Sequence, residues 1–200
     1  MITRFISNLL RALRRARGSI LIVAVTYLLS LIVGITMVHT GNDFALSYRD
    51  RLVAEARSGP VLAQSNPLSM ALADFAGNLR GAVVDALGGL GVVFPFPLVA
   101  YRGWVGGIVS VDGSHASRLL NPTSSAYYLS VVFLQLTAYT LAAGAGVNAG
   151  LSFWRGRPEY AGRKWLGLST EALRDLGRIF VLVIPIFLLA SLWEFLSPWR

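Results

Sequence analysis

The sequence predicts an all-α fold: a polytopic transmembrane helical bundle of about five spans, with an N-terminal amphipathic interfacial helix and a broken or short third span. Three observations carry this reading. Of the 200 residues 54% are hydrophobic and 14% charged, and the mean hydropathy is +0.59, which is more apolar matter than a soluble domain of this length needs. The apolar residues gather into blocks comparable to the roughly 20 residues that cross a hydrocarbon core of about 30 Å. Cationic residues flank those blocks asymmetrically, as the positive-inside rule expects.

Residues 1–18 form the first unit. Ile2, Phe5, Ile6, Leu9, Leu10 and Leu13 recur at helical spacing, while Arg4, Arg11, Arg14, Arg15 and Arg17 occupy the other faces. This is the pattern of an amphipathic helix lying on a membrane surface, its arginines set against anionic headgroups. Residues 19–200 form the transmembrane domain. Its first span, 19–38, is longer than a signal-peptide apolar region and no small-residue cleavage site follows it, so it is read as uncleaved. From 39 to 66 the chain is polar and ends in Gly59-Pro60 and Asn66-Pro67. Within this loop residues 44–57 approach a 3.6-residue apolar period and are expected to form a short surface helix.

The second span, 68–94, carries Asp74, Asn78, Gly81 and Asp85, spaced so that all four share one helix face, which cannot look at lipid. Phe94-Pro95-Phe96-Pro97 breaks it. A Tyr101-Arg102 connection divides the following apolar stretch, so the third span, 96–111, is short or re-entrant. Residues 112–124 read as an exposed loop. The fourth span, 125–153, opens on Tyr127-Tyr128 and closes on Phe153-Trp154, aromatic pairs suited to the two interfaces. A basic loop follows, with Gly156, Pro158 and Gly162 as breakers. Ser169 is an N-cap with Glu171 in the first turn of an amphipathic stretch, which feeds the fifth span, 179–196. Trp193 and Trp199 mark its far interface, and Glu194 beside them is interfacial.

This order puts eleven basic residues on one side: Arg4, Arg11, Arg14, Arg15, Arg17, Arg155, Arg157, Arg163, Lys164, Arg174 and Arg178. Four lie opposite: Arg49, Arg51, Arg57 and Arg118. The expected topology is multi-pass in a bacterial cytoplasmic (inner) membrane, N-terminus cytoplasmic and C-terminus extracytoplasmic. The net charge of +8 belongs to these flanks, and no nucleic-acid partner is expected. With no cysteine in the chain, disulfides and thiolate chemistry are excluded.

Candidate chemistry is sparse. His39 and His115 are the only imidazoles, both fall in loops, and neither has a convincing partner in the sequence. Asp112, Ser114 and His115 are neighbours in one loop, which does not meet the geometry of a catalytic triad. No enzyme activity, metal or cofactor is expected. The polar stripe of Asp74, Asn78 and Asp85, with Gln135 in the middle of the fourth span, is the candidate intramembrane site. Its plainer reading is hydrogen bonding between helices; its sharper one is an ion or proton path. Gly103 and Gly107, Ala142 and Gly146, and Gly146 and Gly150 each place two small residues one turn apart, the spacing that lets another backbone approach closely.

Three segments, Phe75-Ala76-Gly77-Asn78-Leu79-Arg80, Tyr101-Arg102-Gly103-Trp104-Val105-Gly106-Gly107 and Leu141-Ala142-Ala143-Gly144-Ala145-Gly146-Val147-Asn148-Ala149-Gly150, give residues 68–151 a likeness to a known family. The chain resembles the stage II sporulation protein M family of bacterial membrane proteins. Members usually carry His-Gly-x-x-Glu before the last segment; here Val131 and Gln135 stand where the His and Glu would be. The resemblance implies a five-helix inner-membrane protein that assembles with other membrane subunits, sporulation members recruiting peptidoglycan-remodelling enzymes.

Two functions follow as expectations. The first is a non-catalytic scaffold or accessory subunit of an inner-membrane complex, partnered by other integral membrane proteins and by lipid at the N-terminal helix. The second is a small transporter or channel component in which Asp74, Asn78, Asp85 and Gln135 line a polar path.

Overall fold

The computed structural model describes residues 2–154, 156 and 158–199. Its helices are α1 (Ile2–His39), α2 (Asp43–Ser58), α3 (Pro67–Gly89), α4 (Pro95–Ile108), α5 (Pro122–Trp154) and α6 (Thr170–Leu196). A short antiparallel hairpin, β1 (Lys164–Trp165) and β2 (Leu168–Ser169), precedes α6. Helix starts follow local chemistry. Asn42, Asn66 and Ser169 accept from the backbone N–H three residues on, and Asn121 accepts from Thr123 and Ser124. Pro67 and Pro122 follow their asparagines at the first helical position, where proline's missing N–H removes nothing from the helix.

Cross-helix pairings set the directions. Gly103 and Gly107 of α4 lie against Tyr27 and Leu31 of α1, so these two helices run parallel. Gly146 and Gly150 of α5 lie against Ala86 and Leu90 at the end of α3, so α3 and α5 also run parallel. In α6, Asp175 meets Arg15 of α1 while Ser191 meets Asp74 near the start of α3, which aligns α6 with α1 and against α3. Thus α1, α4 and α6 point one way, α3 and α5 the other. α2 covers the end where α1 finishes; the β1–β2 hairpin lies at the opposite end.

The core is built from small residues at these seams. Ala12 and Ala16 of α1, Ala82 of α3, Ala138, Ala142 and Ala145 of α5, and Ile179, Val183 and Phe187 of α6 form one buried cluster. Large apolar side chains point outward instead, including Leu21, Ile22, Leu29 and Ile32 of α1 and Val84 and Leu87 of α3. That inversion is what a bundle facing lipid shows.

Among the described residues, three helices are long and apolar enough to cross a membrane: most of α1, all of α5 and all of α6. α3 has the length, but Asp74, Arg80 and Asp85 interrupt it. α4, with 14 residues, spans only about 21 Å at 1.5 Å per residue.

Several expected boundaries move. α1 runs unbroken through the expected division at residue 18, because Ala12, Arg15 and Ala16 continue to pack along α6. Tyr101-Arg102 is not a connection but the middle of α4, which begins at Pro95 rather than 96 and ends at Ile108 rather than 111. α3 ends at Gly89, five residues before 94. Asn121-Pro122 begins a helix instead of ending a loop, and the amphipathic stretch after Ser169 is continuous with the last span.

Candidate functional site

The polar stripe of α3 is the centre of a hydrogen-bonded chain through four helices. Ser191 Oγ of α6 donates to Asp74 Oδ2 at 2.7 Å, and Asn78 Nδ2 donates to the same oxygen at 2.8 Å. Tyr139 of α5 donates through its hydroxyl to Asn78 Oδ1 at 2.7 Å and accepts from Arg102 Nη1 of α4 at 3.2 Å. Arg102 Nε then meets Asp85 Oδ2 at 3.1 Å. Its guanidinium also sits 4.2 Å from the centre of the Tyr139 ring, a cation–π distance. Asp85 is completely buried, and its second carboxylate oxygen has no hydrogen-bond partner among the described residues. Gly81, one turn before Asp85, leaves the room Arg102 needs: a Cβ there would lie 2.7 Å from Arg102 Nη2. Arg102 is the residue that sequence reasoning misses. The signal available for it was an arginine inside an otherwise apolar stretch opposite a helix bearing carboxylates.

Gln135, half-buried midway along α5, donates to Glu194 Oε2 of α6 at 3.1 Å. Glu194 is therefore part of a cross-helix pair rather than only an interfacial charge. Nearby, Tyr127 donates to the Glu194 backbone carbonyl at 2.7 Å, and Trp193 Nε1 donates to Ser130 Oγ at 2.7 Å.

Two adjoining cavities open beside this network at the α2 end. The larger, about 830 Å³, is bordered by the end of α2, residues 59–62, Asp74, Asp112 and the last turn of α6. The smaller, about 300 Å³, lies deeper and is lined by Asn78, Arg102, Gln135 and Tyr139. Arg118, Tyr127 and Glu194 border both. Both volumes are within the range of small-molecule sites. Asp85 borders neither and touches the smaller cavity only through Arg102.

The small residues lie at seams within this one chain. A Cβ on Gly103 or Gly107 would run into the carbonyl of Tyr27 or Leu31. One on Gly146 would run into the Ala86 carbonyl, and one on Gly150 would lie 2.5 Å from that of Leu90. Ala142 is fully buried in the central cluster. Gly34, Gly89 and Gly144 make approaches of the same kind, to Trp104, Gly146 and Ile20, without standing in the four-residue pattern that flags the others.

At the hairpin end the five N-terminal arginines separate. Arg4, Arg11, Arg14 and Arg17 are exposed, whereas Arg15 turns inward. Arg15 Nε lies 2.7 Å from Asp175 Oδ2, and its guanidinium sits over the Tyr160 ring. Tyr160, buried in the short 3-10 turn Pro158–Tyr160, donates to Asp175 at 3.1 Å and accepts from Asn148 Nδ2 of α5 at 2.8 Å. Arg178 Nη1 bonds both Glu171 and Asp175 at 2.7 Å, and this contact with Arg178 holds the Glu171 carboxyl below its ordinary range. Arg155 and Arg157 of the basic loop lie outside the described residues.

At the α2 end both histidines have partners after all. His39 Nε2 is 2.7 Å from Ser117 Oγ, and His115 Nε2 is 2.9 Å from Asp50 Oδ2. Asp50 is held below the usual carboxylate range, first by the hydrogen bond from Arg49 and then by His115. Asp112 is lowered likewise, by the Ser114 hydroxyl and the N–H groups of Ser114 and Ala116. These contacts are made by an acidic turn closing on itself, and His115 faces Asp50 rather than Ser114.

The model of the family described as "Stage II sporulation protein M" matches residues 23–198. No curated protein and no solved structure matches the chain. The family match starts within α1, runs through the polar network and both cavities, and ends two residues beyond α6, well outside the 68–151 stretch that carries the sequence resemblance. It takes in the second half of α1 and the whole of α2 to α6, and on that extent the chain is a membrane protein belonging to the stage II sporulation protein M family.

Proposed function

We propose that this chain is a non-catalytic scaffold or accessory subunit of a bacterial inner-membrane complex, crossing the bilayer five times. The observation that carries this reading is the continuous chain of contacts from Ser191 through Asp74, Asn78, Tyr139 and Arg102 to Asp85. Its charged and polar groups are engaged with one another across α3, α4, α5 and α6, which is how intramembrane polar groups hold helices in place. The alternating helix directions support five crossings, with α3 and α4 forming a hairpin packed against the three longer helices. The exposed Arg4, Arg11, Arg14 and Arg17 support a cytoplasmic N-terminus against anionic headgroups. Assembly with other integral subunits then uses the outward apolar faces, since the glycine seams are occupied within the chain.

A second reading, a small transporter or channel component, has its own support: Asp74, Asn78 and Gln135 border cavities open at the α2 end. Leu29→Ala with Ile32→Ala, on the outward apolar face of α1, and Asp74→Asn distinguish the two. A scaffold loses its co-purifying subunits with the α1 pair and keeps them with Asp74→Asn. Solute or ion flux in proteoliposomes that Asp74→Asn abolishes, with assembly intact in the α1 pair, would overturn the scaffold reading.

A further inference from the structure

The β1–β2 hairpin holds apolar side chains out where a turn in water carries polar ones. Its tip, Leu166-Gly167, has both φ angles positive, +49° and +82°, the form that asparagine or aspartate followed by glycine adopts most easily. Leucine strains the backbone there, because its Cβ crowds the following carbonyl in the left-handed region. The strain gains no packing within the chain, since Leu166 is 78% exposed. Trp165 beside it and Trp154 at the end of α5 are exposed too. A Cβ on Gly167 would run into the Phe153 ring, and Phe153 meets Trp154 edge to face at 5.3 Å, so the tip and the end of α5 share one apolar patch.

Where this patch lies follows from the pairing of α5 with α6. Ser130 bonds Trp193, and Asn148 reaches Asp175 through Tyr160. The intervals 130–148 and 175–193 are eighteen residues each, about 27 Å at 1.5 Å per residue, close to a hydrocarbon core of roughly 30 Å. Phe153 and the tip against it lie about 8 Å further along α5, at the level of the headgroups. Asp175 and Glu171 at this end are held by Arg15 and Arg178, which leaves Glu159 among the exposed Arg11, Arg14, Arg17, Arg163 and Lys164. An apolar tip rimmed by cations complements an anionic leaflet, which offers phosphates at its surface and acyl carbon beneath.

From this arrangement we infer that the hairpin is a membrane anchor for anionic phospholipid. Trp165 and Leu166 enter the interfacial layer of the adjacent leaflet beside Trp154, and Arg163 and Lys164 meet the anionic headgroups. The anchor pins the segment between α5 and α6 to the bilayer, and it does so whether the chain serves as a scaffold or as a transporter component.

The test uses the full chain, one copy per nanodisc, in bilayers rich in phosphatidylglycerol or made of phosphatidylcholine alone. Because the sequence has no cysteine, a spin label on Leu166→Cys reports that site alone, and its collisions with oxygen and with a water-soluble nickel chelate give its depth. Gly162→Cys is the aqueous reference; Phe133→Cys, on the outward face of α5, is the lipid reference. In phosphatidylglycerol the oxygen-to-nickel ratio at Leu166→Cys should lie several-fold above that of Gly162→Cys, toward that of Phe133→Cys. Arg163→Gln with Lys164→Gln, or the change to phosphatidylcholine, should return it toward the aqueous reference. Native mass spectrometry of the same charge variant should show retention of phosphatidylglycerol over phosphatidylethanolamine reduced about fivefold or more. A label on Leu166→Cys as open to nickel as that on Gly162→Cys would overturn the proposal. So would a label closed to both reagents, which marks protein cover, or a depth and a lipid preference that ignore both charge changes.

Discussion

Arg102 Nε lies 3.1 Å from Asp85 Oδ2, joining α4 to α3 across a turn of five residues, with the carboxylate side chain wholly enclosed. An ion pair of this kind is sensitive to loss of one member and tolerant of loss of both, because a single deletion leaves the other charge without compensation in a low-dielectric setting. Asp85→Ala is expected to destabilise the bundle by about 3–5 kcal/mol. Replacing the pair together, Asp85→Leu with Arg102→Met, is expected to cost much less than the sum of the single changes. Thermal melting in detergent across the double-mutant cycle measures the coupling, and additive effects would show that the pair does not act as a unit.

Two glycines predict opposite signs. A methyl group on Gly146 would collide with the Ala86 carbonyl and lie 2.8 Å from Ala86 Cα. Gly146→Ala should therefore cost about 1–3 kcal/mol as α3 and α5 separate. Gly177, inside α6, has no atom within 4 Å of the equivalent point, and Gly177→Ala should add about 0.5–1 kcal/mol by restricting the unfolded chain. The shift in melting temperature for each variant checks the sign.

The helices long and apolar enough to cross a membrane were legible, since α1, α5 and α6 are continuous runs whose composition decides the matter. The α3–α4 break was legible too, from Pro95 and Pro97. Partnerships were harder. Arg15 looks like one of five surface arginines because its partner Asp175 is 160 residues away, and periodicity within one helix says nothing of what another helix presents. Arg102 was obscured by its place in a 14-residue helix too short to score as a span. The stripe of Asp74, Asn78 and Asp85 was visible from spacing, but Ser191, Tyr139 and Arg102, which complete it, come from three other helices. Asn66-Pro67 and Asn121-Pro122 mark loop ends in the sequence and helix starts in the structure; the asparagine cap is the signal that separates the two.

Gln135 ties α5 to α6 through Glu194. Gln135→Leu keeps the volume but removes the donor, so stability in detergent should fall by ~0.6–2 kcal/mol. Melting of the single variant, with Glu194→Gln as the paired change, checks it. An unchanged profile would mean that the contact contributes nothing.

Acid should loosen the hairpin end first. Glu171 is lowered from its ordinary value of 4.5 by Arg178. A carboxylate with a depressed folded pKa contributes stability that is fully present above its unfolded value and is lost as pH falls through the folded one. The contribution therefore holds at neutral pH and declines below about 4.5. Glu171→Gln should be less stable than the parent at pH 7, and the difference should shrink toward pH 3. Melting curves from pH 7 to pH 3 for both proteins measure it; a constant difference would remove the ion pair as the cause.

The central claim is a bundle of five crossings in alternating directions. Ser114 lies beyond α4 and Gly162 between α5 and α6, so they fall on opposite faces of such a bundle. Because the chain contains no cysteine, Ser114→Cys and Gly162→Cys each introduce one thiol without background. In cells with the inner membrane intact and the outer barrier permeabilised, an impermeant maleimide should label Ser114→Cys and leave Gly162→Cys unlabelled until the inner membrane is opened. Equal labelling of the two before opening would contradict the account.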